Sequence, residues 1–272
     1  MICLVTDSNS QLPVALQQQY GVLVVPMTVV VDGVAHLEGV DLDLAGITAA
    51  LERGAAVGSS TPSPGLVLAA YERAADEGAT QVLSIHAGGD ISGVANSARL
   101  AAPMARIPVE VIDTGSASFP VALCVWAAGE VLAAGGDVIA ATDAARRTAQ
   151  AMGNVFVVGT LALAVGGGRL AQTAAEDAIP VLALAEGGMI PVGRVSDVDA
   201  AVRALVGYVR EQAAGARLRI GIGHLGAAAL ADALESSLRE VCDVEQLVRY
   251  DMGPSVAVHV GLGSVGCVFH PV

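Results

Sequence analysis

The 272-residue chain has no lysine; its 14 cationic side chains are all arginine. That absence removes chemistries that need a side-chain amine, namely the phosphate-gripping lysine of a Walker loop and Schiff-base catalysis. Positive charge of any kind is scarce. The 14 arginines face 27 acidic residues, for a formal charge of −13. Nucleic acids and anionic membrane surfaces are held by clustered cations, so the balance argues against both as partners. Aromatic residues make up 3% of a chain that is 54% hydrophobic. The core must therefore come from Ala, Val, Leu and Ile, a supply that suits alanine-rich helices packed on Val/Ile-rich strands.

Other absences narrow the reading further. Cys3, Cys124, Cys242 and Cys267 form no CxxC pair and sit in apolar runs, as small core hydrophobes of a reducing compartment do. There is no GxSxG elbow for a hydrolase and no HExxH or paired metal-ligand spacing. The apolar opening Met1–Val5 is too short for a signal sequence and runs into Asp7. Residues 148–168 carry no charge, but Gln150, Asn154 and five glycines interrupt them. They suit a buried strand followed by a helix or turn, not a membrane span. The expected location is the cytoplasm, with no transmembrane segment.

What is present is alternation. Apolar runs at 2–6, 22–31 (broken at Pro26), 80–86 and 108–112 read as strands, and Asp32-Gly33 signals a turn. Helical spacing covers 43–53, 64–77, 91–104, 119–134 and 137–151, with Ser63 and Pro64 as N-cap and first helical residue of the second. The pattern predicts an α/β domain with a parallel sheet over residues 1–150. Beyond that point strands outnumber helices. Strands are expected at 155–159, 180–185, 189–195, 217–223, 244–250, 255–260 and 264–270, with helices at 197–213 and 225–240. Gly187-Gly188 reads as a hairpin turn. Residues 151–272 are thus expected to form a smaller α/β domain with a mixed sheet and helices on one face.

Four places offer ligand chemistry. Gly221-Ile-Gly-His-Leu-Gly226 matches GxGxxG after a strand and before a helix, with Asp251 at the end of the next strand. Only 21 residues follow Asp251, too few for further βα units, which favours a close-packed turn over a nucleotide or small-anion site. Asp7-Ser8-Asn9-Ser10 ends the first strand, where parallel sheets bind ligands, or else caps the helix starting near Leu12. Ser59-Ser60-Thr61-Pro62-Ser63-Pro64 places four hydroxyls before a helix N-terminus, a setting that can hold an anion without a cation. Asp90-Ile91-Ser92-Gly93 opens another helix after Gly88-Gly89; Ser92 offers a hydroxyl at the positive helix end, and Gly93 allows close backbone approach. For both of these, ordinary capping is the plainer alternative. Arg169 follows a run of three glycines, and His259 lies at an expected strand end before Gly261-Leu-Gly263. A lone histidine is more often a satisfied core or surface residue.

Taken in order, these pieces resemble the DegV family of bacterial fatty-acid-binding proteins. Thr6–Pro13 is similar to the family's D-S-x-S-D-L opening, and Val24–Val29 to its V-P-L-x-V strand. Ser59–Pro64 resembles T-S-Q-P-S-P, Ile91–Ala98 resembles L-S-G-T-Y-x-S-A, and Val111–Thr114 resembles V-I-D-S. Gly167–Leu170 resembles G-G-R-I and His259–Gly263 resembles H-x-G-P-G. The resemblance implies a two-domain fold binding one long-chain fatty acid in a buried apolar tunnel between the domains. It implies a carrier, not an enzyme, with no cofactor beyond the bound acid. Carried over position by position, Ser59 or Ser60, Ser92, Gly93 and His259 would meet the carboxylate, with Arg169 near that end or in partner docking. The partner it implies is a fatty acid kinase, which phosphorylates the bound acid for phospholipid synthesis. Departures are Thr61 for glutamine, Val94-Ala95 for Thr-Tyr, Leu262 for proline, and Ala178-Ile179-Pro180 where the family often has I-K-P.

Overall fold

A computed structural model describes residues 1–159, 179–185 and 188–272. The chain forms two compact units. The first comprises Met1–Asp43 and Ser59–Gln150, the second Leu44–Gly58 and Ala151–Val272. Among the described residues, no helix is long and apolar enough to cross a membrane.

The first unit is built on four parallel strands: β1 (Ile2–Asp7), β2 (Leu23–Val25), β6 (Gln81–His86) and β7 (Val109–Asp113), in the order β2-β1-β6-β7. From Cys3 to Asp7 and from Val82 to His86 every residue is buried. These are continuously buried runs, not alternating ones, because a parallel sheet is covered on both faces. Cys3, Val5 and Val82 pack with Val67, Tyr71 and Ala74 of helix α3 (Pro64–Asp76) and Ala98 and Ala101 of α4 (Val94–Ala101). Helix α5 (Phe119–Ala133) packs against β1 and β6 as well. Its first two turns are apolar on all sides, and the residues from Phe119 to Trp126 are all buried. A helix buried all round needs no polar face.

The sequence signals for local structure mostly operate as read. Asp32 and Gly33 both take positive φ, +50° and +83°, and join β3 (Thr28–Val31) to β4 (Val34–Leu37) in a tight hairpin. This is the backbone that Asp-Gly favours in two-residue hairpin loops. Strand β4 and β5 (Val57–Ser60) lie outside the expected set and complete a three-stranded sheet, β4-β3-β5. The helix expected from residue 91 begins at Val94, because Asp90–Gly93 forms the turn that enters it.

The second unit carries a six-stranded mixed sheet. Its strands are β8 (Gly153–Val157), β9 (Ile179–Ala185), β10 (Gly188–Val195), β11 (Leu218–Leu225), β12 (Val244–Asp251) and β13 (Ser264–Pro271), ordered β10-β9-β8-β13-β11-β12. Only β11 and β12 run parallel; the other neighbours are antiparallel. Ala185 pairs with Gly188 across the antiparallel β9–β10 ladder, and Gly187 of the expected turn lies outside the described residues. Leu205 and Val209 of helix α7 (Val198–Ala213) and Leu234 and Leu238 of α8 (Ala228–Val241) join Val155, Leu218, Ile220, Ile222 and Cys267 in one core.

Residues 255–260, expected as a strand, form the helix α9 (Pro254–Val260). Ser-Val-Ala-Val-His-Val places a valine at every second position, and so short an apolar run does not separate strand from helix. Pro254 at the first helical turn starts it, and Gly261 closes it through its amide to the Ala257 carbonyl at 2.9 Å. The ladder position beside β11 is already filled by β13.

Candidate functional site

The head-group residues expected in the first unit come together through its loops. Ser59 and Ser60 end β5, Ser59 half-buried and Ser60 exposed. Thr61 follows, and its hydroxyl donates to the Ser92 carbonyl. Gly93 faces the same threonine: a Cβ built on Gly93 would stand 3.0 Å from Thr61 Oγ1. Gly93 also has φ +72°, a backbone that side chains other than glycine's rarely adopt. The Ser92 hydroxyl accepts the Val94 amide at 3.3 Å, and the Ser63 hydroxyl accepts that of Leu66 at 3.2 Å. The Ser63 bond caps α3, whereas Gly93, the N-cap of α4, has no side-chain cap, and the Thr61 bond ties the approaches to the two helices together. Thr61, counted in the sequence reading only among the hydroxyls and as a departure from the family's glutamine, is the residue that joins the two loops.

The other assigned residues belong to the second unit or fall outside the described residues. His259 is half-buried in the last turn of α9 in the second unit, on a helix and not at a strand end. Arg169 lies outside the described residues. In the glycine motif, Gly221 and Gly223 lie inside β11 and are flanked on both sides: Gly221 by Val248 and Val268, Gly223 by Tyr250 and Gly266. A Cβ on Gly223 would come within 2.4 Å of the Tyr250 ring. The glycines serve strand packing, and helix α8 starts only at Ala228. A phosphate-binding turn needs its glycines beyond the strand end, so the geometry counts against a nucleotide there.

Two carboxylates anchor the loop that carries Ser92. Asp113, at the end of β7, accepts the amides of Gly89 (3.2 Å) and Gly115 (3.0 Å) and the Arg99 guanidinium (2.9 Å). Burial works to raise the Asp113 carboxyl, but the Gly115 amide, Arg99 and the Gly89 amide together hold it below the usual range. Asp7, at the end of β1, accepts the Ala87 amide at 3.1 Å and faces His86. The sequence reading missed His86. No local signal marked it: Asp7 comes level with His86 only because β1 and β6 pair Val5 with Ser84, two residues before each.

Among the described residues, no three His, Cys, Asp or Glu side chains gather as metal ligands. The four thiols are free. Burial pushes Cys3 up to about 11 and Cys124 up to about 12, and it raises Cys267 and the half-buried Cys242 as well. Thiols held protonated in this way are poor nucleophiles and poor metal ligands.

Comparison with known proteins agrees with this arrangement of strands and loops. A DegV domain-containing protein of Streptomyces coelicolor is 33% identical over 273 residues, 98% of this chain and 97% of the relative. A solved DegV family protein from Thermus thermophilus, described as fatty acid binding, is 32% identical. It superposes with a TM-score of 0.93, covering 100% of this chain and 99% of that one. A DegV lipid binding protein from Thermotoga maritima is 25% identical, with a TM-score of 0.93 and coverage of 100% and 98%. The family model described as "Uncharacterised protein, DegV family" matches residues 1–272. The chain belongs to the DegV family.

Proposed function

We propose that this chain is a cytoplasmic carrier that binds one long-chain fatty acid and presents its carboxyl end to a fatty acid kinase. The observation that carries the reading is the junction of Thr61 with Ser92 and Gly93 beside the starts of two helices. Such a place offers hydroxyls, a close backbone approach and the positive ends of helix dipoles to an anion, with no lysine required. Ser59, Ser60, Ser92 and Gly93 are the carboxylate contacts proposed in this unit. His259 and Arg169 enter through the family resemblance alone, the first as a further contact and the second in partner docking. The Thermus relative described as fatty acid binding supports the ligand class.

The energetics are sufficient. Each buried CH₂ contributes about 0.8 kcal/mol, so a tail of ~16 carbons gains on the order of 12 kcal/mol before the costs of association. A carrier that serves a kinase must keep the carboxyl end reachable and the tail deep, which orders the ligand in the proposed tunnel. Phosphorylation by the partner would then yield an acyl-phosphate for phospholipid synthesis.

Native mass spectrometry of the purified chain, followed by lipid extraction, tests the reading. A copurifying mass that matches one long-chain acid is expected; protein that neither carries nor takes up any fatty acid would end the proposal. Incubation of the loaded protein with a fatty acid kinase and ATP tests the second half, with acyl-phosphate trapped by hydroxylamine as the expected product.

A further inference from the structure

Asp7, Ser84, His86 and Tyr71 form one hydrogen-bonded chain in the first unit, and all four side chains are fully buried. His86 Nδ1 lies 2.8 Å from Asp7 Oδ2, His86 Nε2 lies 2.6 Å from Ser84 Oγ, and Ser84 Oγ lies 2.9 Å from the Tyr71 hydroxyl. The order copies the Ser-His-Asp arrangement of a hydrolase. Ser84 is nevertheless no nucleophile, because its hydroxyl is sealed from solvent and engaged by both His86 and Tyr71. Burying four polar side chains costs desolvation that their mutual hydrogen bonds offset only in part, because Asp7 Oδ1 is buried with no hydrogen-bond partner among the described residues. Their use must lie in what they hold.

The protons can be placed from the partners. A carboxylate only accepts hydrogen bonds. Asp7 Oδ2 takes the Ala87 amide at 3.1 Å, so His86 Nδ1 carries the ring proton and donates it to the same oxygen. With the ring proton at Nδ1, Nε2 accepts the Ser84 hydroxyl. Ser84, its proton committed, accepts from Tyr71. Burial, against a smaller lowering by Ser84, pushes the Tyr71 phenol up to about 12, which keeps it a donor.

The chain ends where the head-group loop begins. Ala87 follows His86 directly, and the Gly88 amide donates to the Ser116 carbonyl at 2.8 Å. The amides of Ile91 and Ser92 return to the Gly88 carbonyl at 3.0 and 2.9 Å, and that of Gly93 to the Gly89 carbonyl at 3.1 Å. The His86 carbonyl itself accepts the Thr114 amide and hydroxyl at 3.2 and 3.0 Å. Ser92 therefore inherits its place from Ala87 and Gly88 through an unbroken series of hydrogen bonds.

We propose that the buried Asp7–His86–Ser84–Tyr71 chain positions the fatty-acid head-group site, fixing His86 in its Nδ1–H tautomer and thereby setting where Ser92 and Gly93 stand against Thr61. His86 and Asp7 are positioning residues, and neither touches the ligand. The inference rests on the fatty-acid reading above and adds to it which residues make the site rigid.

Two measurements on the full chain decide it. Nitrogen-15 spectra of labelled histidine read the tautomer; Nδ1–H is expected for His86, and Nε2–H overturns the proposal. Amide hydrogen exchange and displacement of a fluorescent fatty acid by oleate then compare wild type with His86→Phe, His86→Asn and Tyr71→Phe. In His86→Phe, exchange at Ile91–Gly93 should rise and oleate affinity fall by about tenfold each, the scale of one or two lost hydrogen bonds. Exchange along β11 in the second unit should not change. His86→Asn retains a donor for Asp7 and should recover most of both effects, which a loss of general stability would not do. Should His86→Phe fail to fold, the isosteric Tyr71→Phe decides: faster exchange confined to the loop supports the proposal, and unchanged exchange and affinity overturn it. Wild-type protein that takes up neither oleate nor any other long-chain fatty acid sinks the functional reading and the head-group role with it. The exchange comparison then still reports separately whether the chain orders the loop.

Discussion

In the first unit the strand Gln81–His86 stops, and Gly88, Gly89 and Gly93 follow it. In the second unit the strand Leu218–Leu225 runs on through Gly221 and Gly223 before it stops. Both junctions lead from a sheet into a helix, and the second has the better-known spelling. The difference lies in what the glycine backbones are doing. Gly221 and Gly223 sit between β12 and β13, and their missing side chains make room for neighbours such as Tyr250. Beyond β6, the glycines shape a turn whose amides are gathered onto Asp7, Asp113 and the Gly88 carbonyl, with Ser92 at its apex. On the proposed reading, it is the glycines that follow a finished strand, and not those within one, that form a ligand loop.

The comparison breaks most readily at Gly88. A Cβ there would stand 2.9 Å from the Gly115 backbone, which cannot swing aside as a side chain can. Gly88→Ala should destabilise the protein by about 1–3 kcal/mol, the usual range for overpacking, and should weaken fatty-acid binding. Gly223→Ala meets the outer atoms of the half-buried Tyr250 ring, which can rotate. It should cost less stability in urea unfolding and leave binding unchanged. Equal losses of binding in the two variants would erase the distinction between the junctions.

Smaller changes within the head-group turn sharpen the same contrast. Gly93→Ala carries a left-handed backbone penalty of about 1–2 kcal/mol as well as a tight contact with Thr61. Ser92→Ala removes one hydroxyl and should lower affinity by about 0.5–1.5 kcal/mol. Oleate titration should rank Gly93→Ala as the more damaging, and a bulky residue at Gly93 as more damaging than His259→Ala. An unchanged dissociation constant for Ser92→Ala would remove that side chain from the site.

The legible and illegible parts of this chain divide along physical lines. Long apolar runs bounded by turn residues gave the parallel strands and most helices, and Asp32-Gly33 marked its hairpin, because these signals act within a few residues. The run 255–260 misled because Pro254 and Gly261, one residue outside it on either side, decide its structure. Strand β4 was missed since Val-Ala-His-Leu is short and largely exposed. The Ser92 loop could be found from hydroxyls beside a helix start. The buried chain behind it could not, since Asp7 and His86 lie 79 positions apart and meet only through strand register. Leu44–Gly58 belongs to the second unit although it interrupts the first, and no composition shift announces it.

The gentlest probe compares one carboxylate in each unit. Burial tends to raise Asp113, but the Gly115 amide, Arg99 and the Gly89 amide hold it below its ordinary value; burial likewise opposes Arg239 and Arg249 at Glu235, and there too the carboxyl ends up lowered. A group depressed in the folded state binds its proton more readily once unfolded, so each contributes stability that is full at neutral pH. That stability is lost as pH falls past the unfolded value, about 3.9 for aspartate, towards the lower folded one. Asp113→Asn and Glu235→Gln should therefore each flatten the acid side of a plot of urea midpoint against pH. Only Asp113 is bonded to the head-group turn, through the Gly89 amide. On acidification of the wild type, exchange at Gly89, corrected for its intrinsic pH dependence, should accelerate before exchange along β11 does. In Asp113→Asn that early step should vanish, and in Glu235→Gln it should persist. A Gly89 amide that opens at the same pH in both variants would mean that the turn does not hang on Asp113, and that its rigidity comes from the Asp7 side alone.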